Sequence, residues 1–145
     1  MTHAQFWMAI SADLQLVRLS AAALQGILGE IECEAEQAMR IELCVVEAIN
    51  NAIEHAYAQD PRGRVEIQLD FGADTLEITV TDTGCAMSDG ALARARTGLV
   101  EAPGELREGG YGLGLIVDIM TNVEYRRVGN RNVLTMGITL PRSSA

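Results

Sequence analysis

The sequence predicts an α/β fold, a two-layer sandwich with a mixed, mostly antiparallel sheet and helices on one face. Three observations predict it. The apolar period is about 3.6 residues up to residue 58, switches to 2 over residues 65–80, and returns to 2 near the C-terminus. The elements follow the order β-α-α-β-β-loop-α-β-β, which stacks helices on one side of a hairpin-rich sheet. Both strand pairs are joined by strong turn signals, Phe71-Gly72-Ala73-Asp74 and Gly129-Asn130. A chain of 145 residues with 48% hydrophobic residues and three prolines supports one core, so residues 1–145 are expected to be a single domain.

Taken in order, residues 5–10 (QFWMAI) form a short apolar run suited to an edge strand. Ser11 or Asp13 can cap the helix that follows, where Leu14, Val17, Leu24, Ile27 and Leu28 stand near helical spacing. A longer helix is expected over residues 34–58, stopped by Pro61 and by Gly63, a residue that tolerates positive φ. Alternation at 65–69 and 76–80 gives two strands, and residues 82–112 form a long glycine-rich loop, a kind usually functional in a compact domain. A helix from about 112 to 120 and strands at 123–128 and 132–140 complete the chain.

Charge narrows the function. All 11 basic residues are arginines against 20 acidic ones, a net −9. That excludes a nucleic-acid backbone or an anionic membrane as the main partner. The absence of lysine excludes the P-loop and the eukaryotic-type protein-kinase site. Cys33, Cys44 and Cys85 are odd in number and widely spaced, which fits neither a disulfide framework nor a zinc site and points to a reducing compartment. No signal peptide and no run of about 20 apolar residues stands out, so the expectation is a cytoplasmic protein without membrane association.

On the longer helix, Ile41, Val45, Ala48, Ala52 and Ala56 share the side that must bury, while Glu47, Asn51 and Glu54 form another stripe with His55 beside it. Asn50 and Asn51 are poor helix formers. Geometry alone leaves two readings, a solvated polar face or a site where an asparagine oxygen binds magnesium beside a carboxylate base. Asp82-Thr83-Gly84-Cys85-Ala86 is either a turn or a carboxylate held against a ligand's amino group. Gly109, Gly110, Gly112 and Gly114 lead into an apolar helix, and helix N-termini bind phosphate. A dinucleotide fingerprint is excluded, because no βαβ unit surrounds the run.

Together these pieces resemble the GHKL ATPase superfamily, the Bergerat fold, over roughly residues 10–140. EAINNAIEHAY at 47–57 is similar to its N box in the form of the bacterial anti-sigma factor serine kinases. DTG at 82–84 resembles the first glycine box, and GYGLG at 110–114 the second. VEYRR at 123–127 and NVLT at 132–135 also resemble that branch. The resemblance implies ATP and Mg2+ as cofactors, Glu47 as general base and Asn51 as magnesium ligand, with His55 in the nucleotide-binding set. It implies that Asp82 binds the adenine amino group, that Gly84 and Ala86 line the approach, and that residues 87–109 form an ATP lid. The backbone of Gly110, Tyr111, Gly112, Leu113 and Gly114 would meet the phosphates, with Thr135 reaching the adenine side.

Two positions depart from the pattern. Ala86 stands where a second glycine is common, and Glu108 where some relatives carry a basic residue, with Arg107 beside it. The branch implies phosphorylation of a serine on a STAS-type antagonist, sequestration of a sigma factor, and a homodimer. The alternatives are a nucleotide-dependent switch without phosphotransfer, or an orphan catalytic domain of a sensor histidine kinase. The only histidines, His3 and His55, do not sit in a helical phosphoacceptor region.

Overall fold

A computed structural model describes residues 3–97 and 110–141. Its sheet runs β1-β2-β3-β5-β4, with β1 Ala4–Ser11, β2 Arg64–Phe71, β3 Thr75–Asp82, β4 Asn122–Val128 and β5 Arg131–Thr139. Every pairing is antiparallel, so the mixed sheet expected from the sequence is antiparallel throughout. The helices among the described residues are α1 Val17–Glu30, α2 Ala35–Asn51, α3 Ala91–Thr97 and α4 Gly110–Ile119. As expected, β1 is an edge.

The strand period decides which face is covered. Val65, Ile67, Leu69, Leu76, Ile78, Val80, Leu134 and Met136 are buried, and Leu24, Leu28, Ile41, Val45, Ile49 and Ile116 pack with them from α1, α2 and α4. Residues of the other parity, such as Gln68, Glu77, Thr79 and Thr135, stay half-buried or exposed on the uncovered face. Each fully buried Ile or Leu contributes about 1.5–3 kcal/mol. Within α1 the expected stripe holds at Val17, Leu24 and Leu28, while Leu14 is exposed because it belongs to a short 3-10 turn. Asp13 is the cap that forms: its carboxylate accepts from the Gln15 amide at 2.9 Å.

The helix expected to run unbroken to residue 58 changes pitch at its end. After α2 the chain makes a π turn, Ala52–Ala56, in which the Tyr57 amide bonds the Ala52 carbonyl five residues back. Ala58 and Gln59 then turn the chain with φ of 49° and 63°. Gly63 does not have positive φ. A Cβ there would lie 2.5 Å from the Tyr57 ring, so the glycine serves close approach. The loop expected over 82–112 contains the short helix α3, and α4 begins two residues earlier than expected. The Gly129-Asn130 turn is as expected, with Gly129 at φ 62° between the paired Val128 and Arg131.

Candidate nucleotide site

Both glycine boxes dock on the segment formed by α2 and its π turn. At its start, Glu47 lies under the first turn of α4, so close that a Cβ on Gly112 would overlap its Oε2. At its end, a Cβ on Gly84 would strike the Ala56 carbonyl, and the Cys85 amide donates to that same carbonyl at 2.8 Å. The two docking points are nine residues apart, a rise of about 13 Å at helical pitch. Asn51 lies between them, one turn past Glu47 and half-buried, and makes no side-chain hydrogen bond among the described residues. Leu113 is buried, at 5% exposure. Gly110 and Gly112 are in the first turn, where amides lack helical partners, and Gly114 opens the second.

Asp82 ends β3 with 8% exposure. Its Oδ1 accepts from the Gly84 amide at 3.0 Å and from Asn132 Nδ2 at 2.7 Å, while Oδ2 has no partner among the described residues. Burial pushes the Asp82 carboxyl up from its usual range. The Asn132 hydrogen bond, the Gly84 amide and the Arg127 charge oppose that shift. Tyr57 ties the base of the cluster: its hydroxyl donates to the Arg64 carbonyl at 2.6 Å and accepts from the Thr83 amide at 2.7 Å.

Other expected residues fall further out. Glu54 and His55 are exposed on the π turn, and Ala86 is exposed in the loop beyond Cys85. Thr135 opposes Thr79, three residues before Asp82, and so projects from the opposite face of the sheet. Residues 98–109 of the expected lid, including Arg107, Glu108 and Gly109, lie outside the described residues. A cavity of about 200 Å³, lined by Arg96, Val117, Met120 and Val123 among others, shares no residue with this cluster.

The sequence reading did not single out the roles of Asn132, Tyr125, Arg127 and Tyr57. One signal was present: Asn132 has the inward parity of Leu134 and Met136, and asparagine is unfavourable inside a strand.

Glu47 and Asn51 on α2, the Asp82 carboxylate at the end of β3 and the first turn of α4 are thus gathered along one helical segment. The chain belongs to the histidine kinase-like ATPase domain family, which it matches over residues 10–138. The serine-protein kinase RsbW of Oceanobacillus iheyensis is 32% identical over 120 residues, 81% of this chain and 75% of that protein. The anti-sigma F factor of Anoxybacillus flavithermus is 28% identical over 144 residues, 99% of this chain and 94% of that one. The RsbU and RsbW domains of a Mycobacterium tuberculosis protein share the fold, with a TM-score of 0.70 at 18% identity over 97% of this chain and 34% of theirs. The GHKL resemblance is thereby established, in the branch whose members are named for serine kinase and anti-sigma activity. No described helix is long and apolar enough to cross a membrane.

Proposed function

We propose that this chain is a cytoplasmic, homodimeric anti-sigma factor kinase. It binds Mg-ATP, phosphorylates a serine on a STAS-type antagonist and sequesters a sigma factor. The observation that carries this reading is the seat of Glu47 against Gly112 at the entrance of α4, one helical turn from Asn51. There a carboxylate can take the proton of an incoming hydroxyl while the α4 amides hold phosphate oxygens. The residues fit the absent groups: Asn51 offers a neutral hard oxygen for magnesium, and Asp82 an unused acceptor for an amino group. Bound magnesium would neutralise charge on the transferring phosphoryl group. The names of the relatives support the choice of serine as acceptor.

The test uses labelled ATP, the chain and an antagonist domain. Glu47→Ala is expected to keep nucleotide binding and lose phosphotransfer by about 100-fold or more. Asn51→Ala is expected to lose the magnesium dependence of binding. Full activity in both variants overturns the assignment. Tight sequestration without phosphoserine would instead favour the nucleotide-dependent switch, the reading that Glu108 before the second glycine box suggests. Acid-labile phosphohistidine on the partner would favour an orphan histidine-kinase domain.

A further inference from the structure

We propose that Asn132 is the positioning residue that gives this site its preference for adenine, by locking the Asp82 carboxylate in one orientation. The inference rests on the nucleotide reading above. Asn132 is 3% exposed and directly opposite Asp82 in the β3–β5 register, on the same face of the sheet. Its amide nitrogen meets three acceptors: Asp82 Oδ1 at 2.7 Å, the Cys85 carbonyl at 3.0 Å and the Gly84 carbonyl at 3.1 Å. Its oxygen meets two donors, the Tyr125 hydroxyl at 2.9 Å and Arg127 NH1 at 2.6 Å. The opposite amide orientation would set oxygen against three acceptors and nitrogen against the Arg127 guanidinium, which cannot accept, so only one orientation satisfies the network.

That orientation has a chemical consequence. With Oδ1 held by Asn132 and the Gly84 amide, the carboxylate cannot swap its oxygens freely, and Oδ2 is presented as a pure acceptor. An exocyclic amino group, as on adenine, can donate to it. A carbonyl at the same ring position, as on guanine or hypoxanthine, would set acceptor against acceptor. Discrimination of this kind depends on the carboxyl remaining unprotonated, since a protonated one could donate to the carbonyl. Burial favours protonation of Asp82, and the Asn132 hydrogen bond opposes it. Asn132 therefore serves twice, by fixing the plane of the carboxylate and by keeping it an acceptor. Tyr125 holds Asn132 in turn, and its hydroxyl also accepts from the Met87 amide at 2.9 Å, where the loop leaves the site.

The experiment measures dissociation constants of Mg-ADP, Mg-GDP and Mg-IDP by competition on the full chain, wild type against Asn132→Leu and Tyr125→Phe. The wild type is expected to prefer ADP. In Asn132→Leu the preference for ADP over IDP is expected to fall roughly tenfold, with ADP weakened and IDP nearly unchanged. In Tyr125→Phe it should fall about threefold. A merely structural role would weaken all three nucleotides alike, so an equal loss, or an unchanged ratio, overturns the proposal. If Asn132→Leu shows no cooperative urea transition, Tyr125→Phe decides alone, and an unchanged ratio there is a refutation. A wild type that binds none of the nucleotides overturns the nucleotide reading itself. A wild type whose adenine preference survives both substitutions overturns only the role of Asn132.

Discussion

Three glycines of this chain, replaced by alanine, should respond with three different outcomes, because a methyl group meets something different at each. At Gly84 it would strike the Ala56 carbonyl, a backbone atom that cannot swing aside, so Gly84→Ala should cost about 1–3 kcal/mol in a urea melt. At Gly112 it would meet the end of the Glu47 side chain, which can move. Gly112→Ala should therefore leave stability within about 1 kcal/mol and impair phosphotransfer, because the displaced group is the proposed base. At Gly26, exposed inside α1 with nothing within reach, alanine should stabilise by about 0.4–1 kcal/mol. Identical effects at all three would refute the docking of the glycine boxes on α2. The cysteines divide similarly. Cys44 is buried with its thiol pushed up to about 12, so near pH 8 only about one in ten thousand is ionised, while Cys85 is exposed beside Asp82. Iodoacetamide should label Cys85 first, and Mg-ADP should slow that labelling; labelling insensitive to nucleotide would count against the site. At this scale the sequence made Glu47, Asn51 and Asp82 candidates because chemistry and motif coincide there, and the fold sets all three along α2 and its π turn. Asn132 escaped notice because its importance comes from standing opposite Asp82, and β3 and β5 are not consecutive in the chain.

Among the elements, local rules carried the reading as long as hydrogen bonds were local. The Asp13 cap, the alternation of β2 and β3 and the Gly129-Asn130 turn depend on neighbours within a few residues, and each formed as expected. The end of α2 depends on contacts from elsewhere. There the wider π turn gives the Ala56 carbonyl to the Cys85 amide, a bond between segments 29 positions apart that helical periodicity cannot reveal. The helix α3 was hidden inside a glycine-rich stretch for a related reason, since its seven described residues are too few to show a period. Tyr57 closes the π turn and joins it to two other elements, bonding Arg64 at the head of β2 and Thr83 just past β3. Removing one hydroxyl from that junction leaves a carbonyl and an amide without their partner. Tyr57→Phe should cost about 1–3 kcal/mol of stability and should speed hydrogen exchange at the Thr83 amide relative to the β2 core. Unchanged exchange at Thr83 would mean that the first glycine box is held by other contacts.

For the whole molecule, the sandwich could be read from periodicity, but the strand order could not. Placing β5 between β3 and β4 brings the end of the chain into the middle of the sheet, beside Asp82, and only the folded register shows it. The consequence is thermodynamic. The proposed nucleotide would touch the end of β3, the polar stripe of α2 and the entrance of α4, groups drawn from residues 47 to 114 that are close together only when the sheet is assembled. A ligand bound across such elements binds the native state and not the unfolded chain, so it adds RT ln(1 + [L]/Kd) to stability. At a hundredfold excess over Kd this is about 2.7 kcal/mol. A chain of this size gains about 3 °C per kcal/mol, so Mg-ADP should raise the melting temperature by about 8 °C. The shift should shrink when magnesium is withheld, and Asn51→Ala should make it insensitive to magnesium, because that side chain is the proposed link between cation and protein. A wild-type melting curve that does not move at any ADP concentration, with or without magnesium, would mean that the three groups gathered along α2 do not form a nucleotide site.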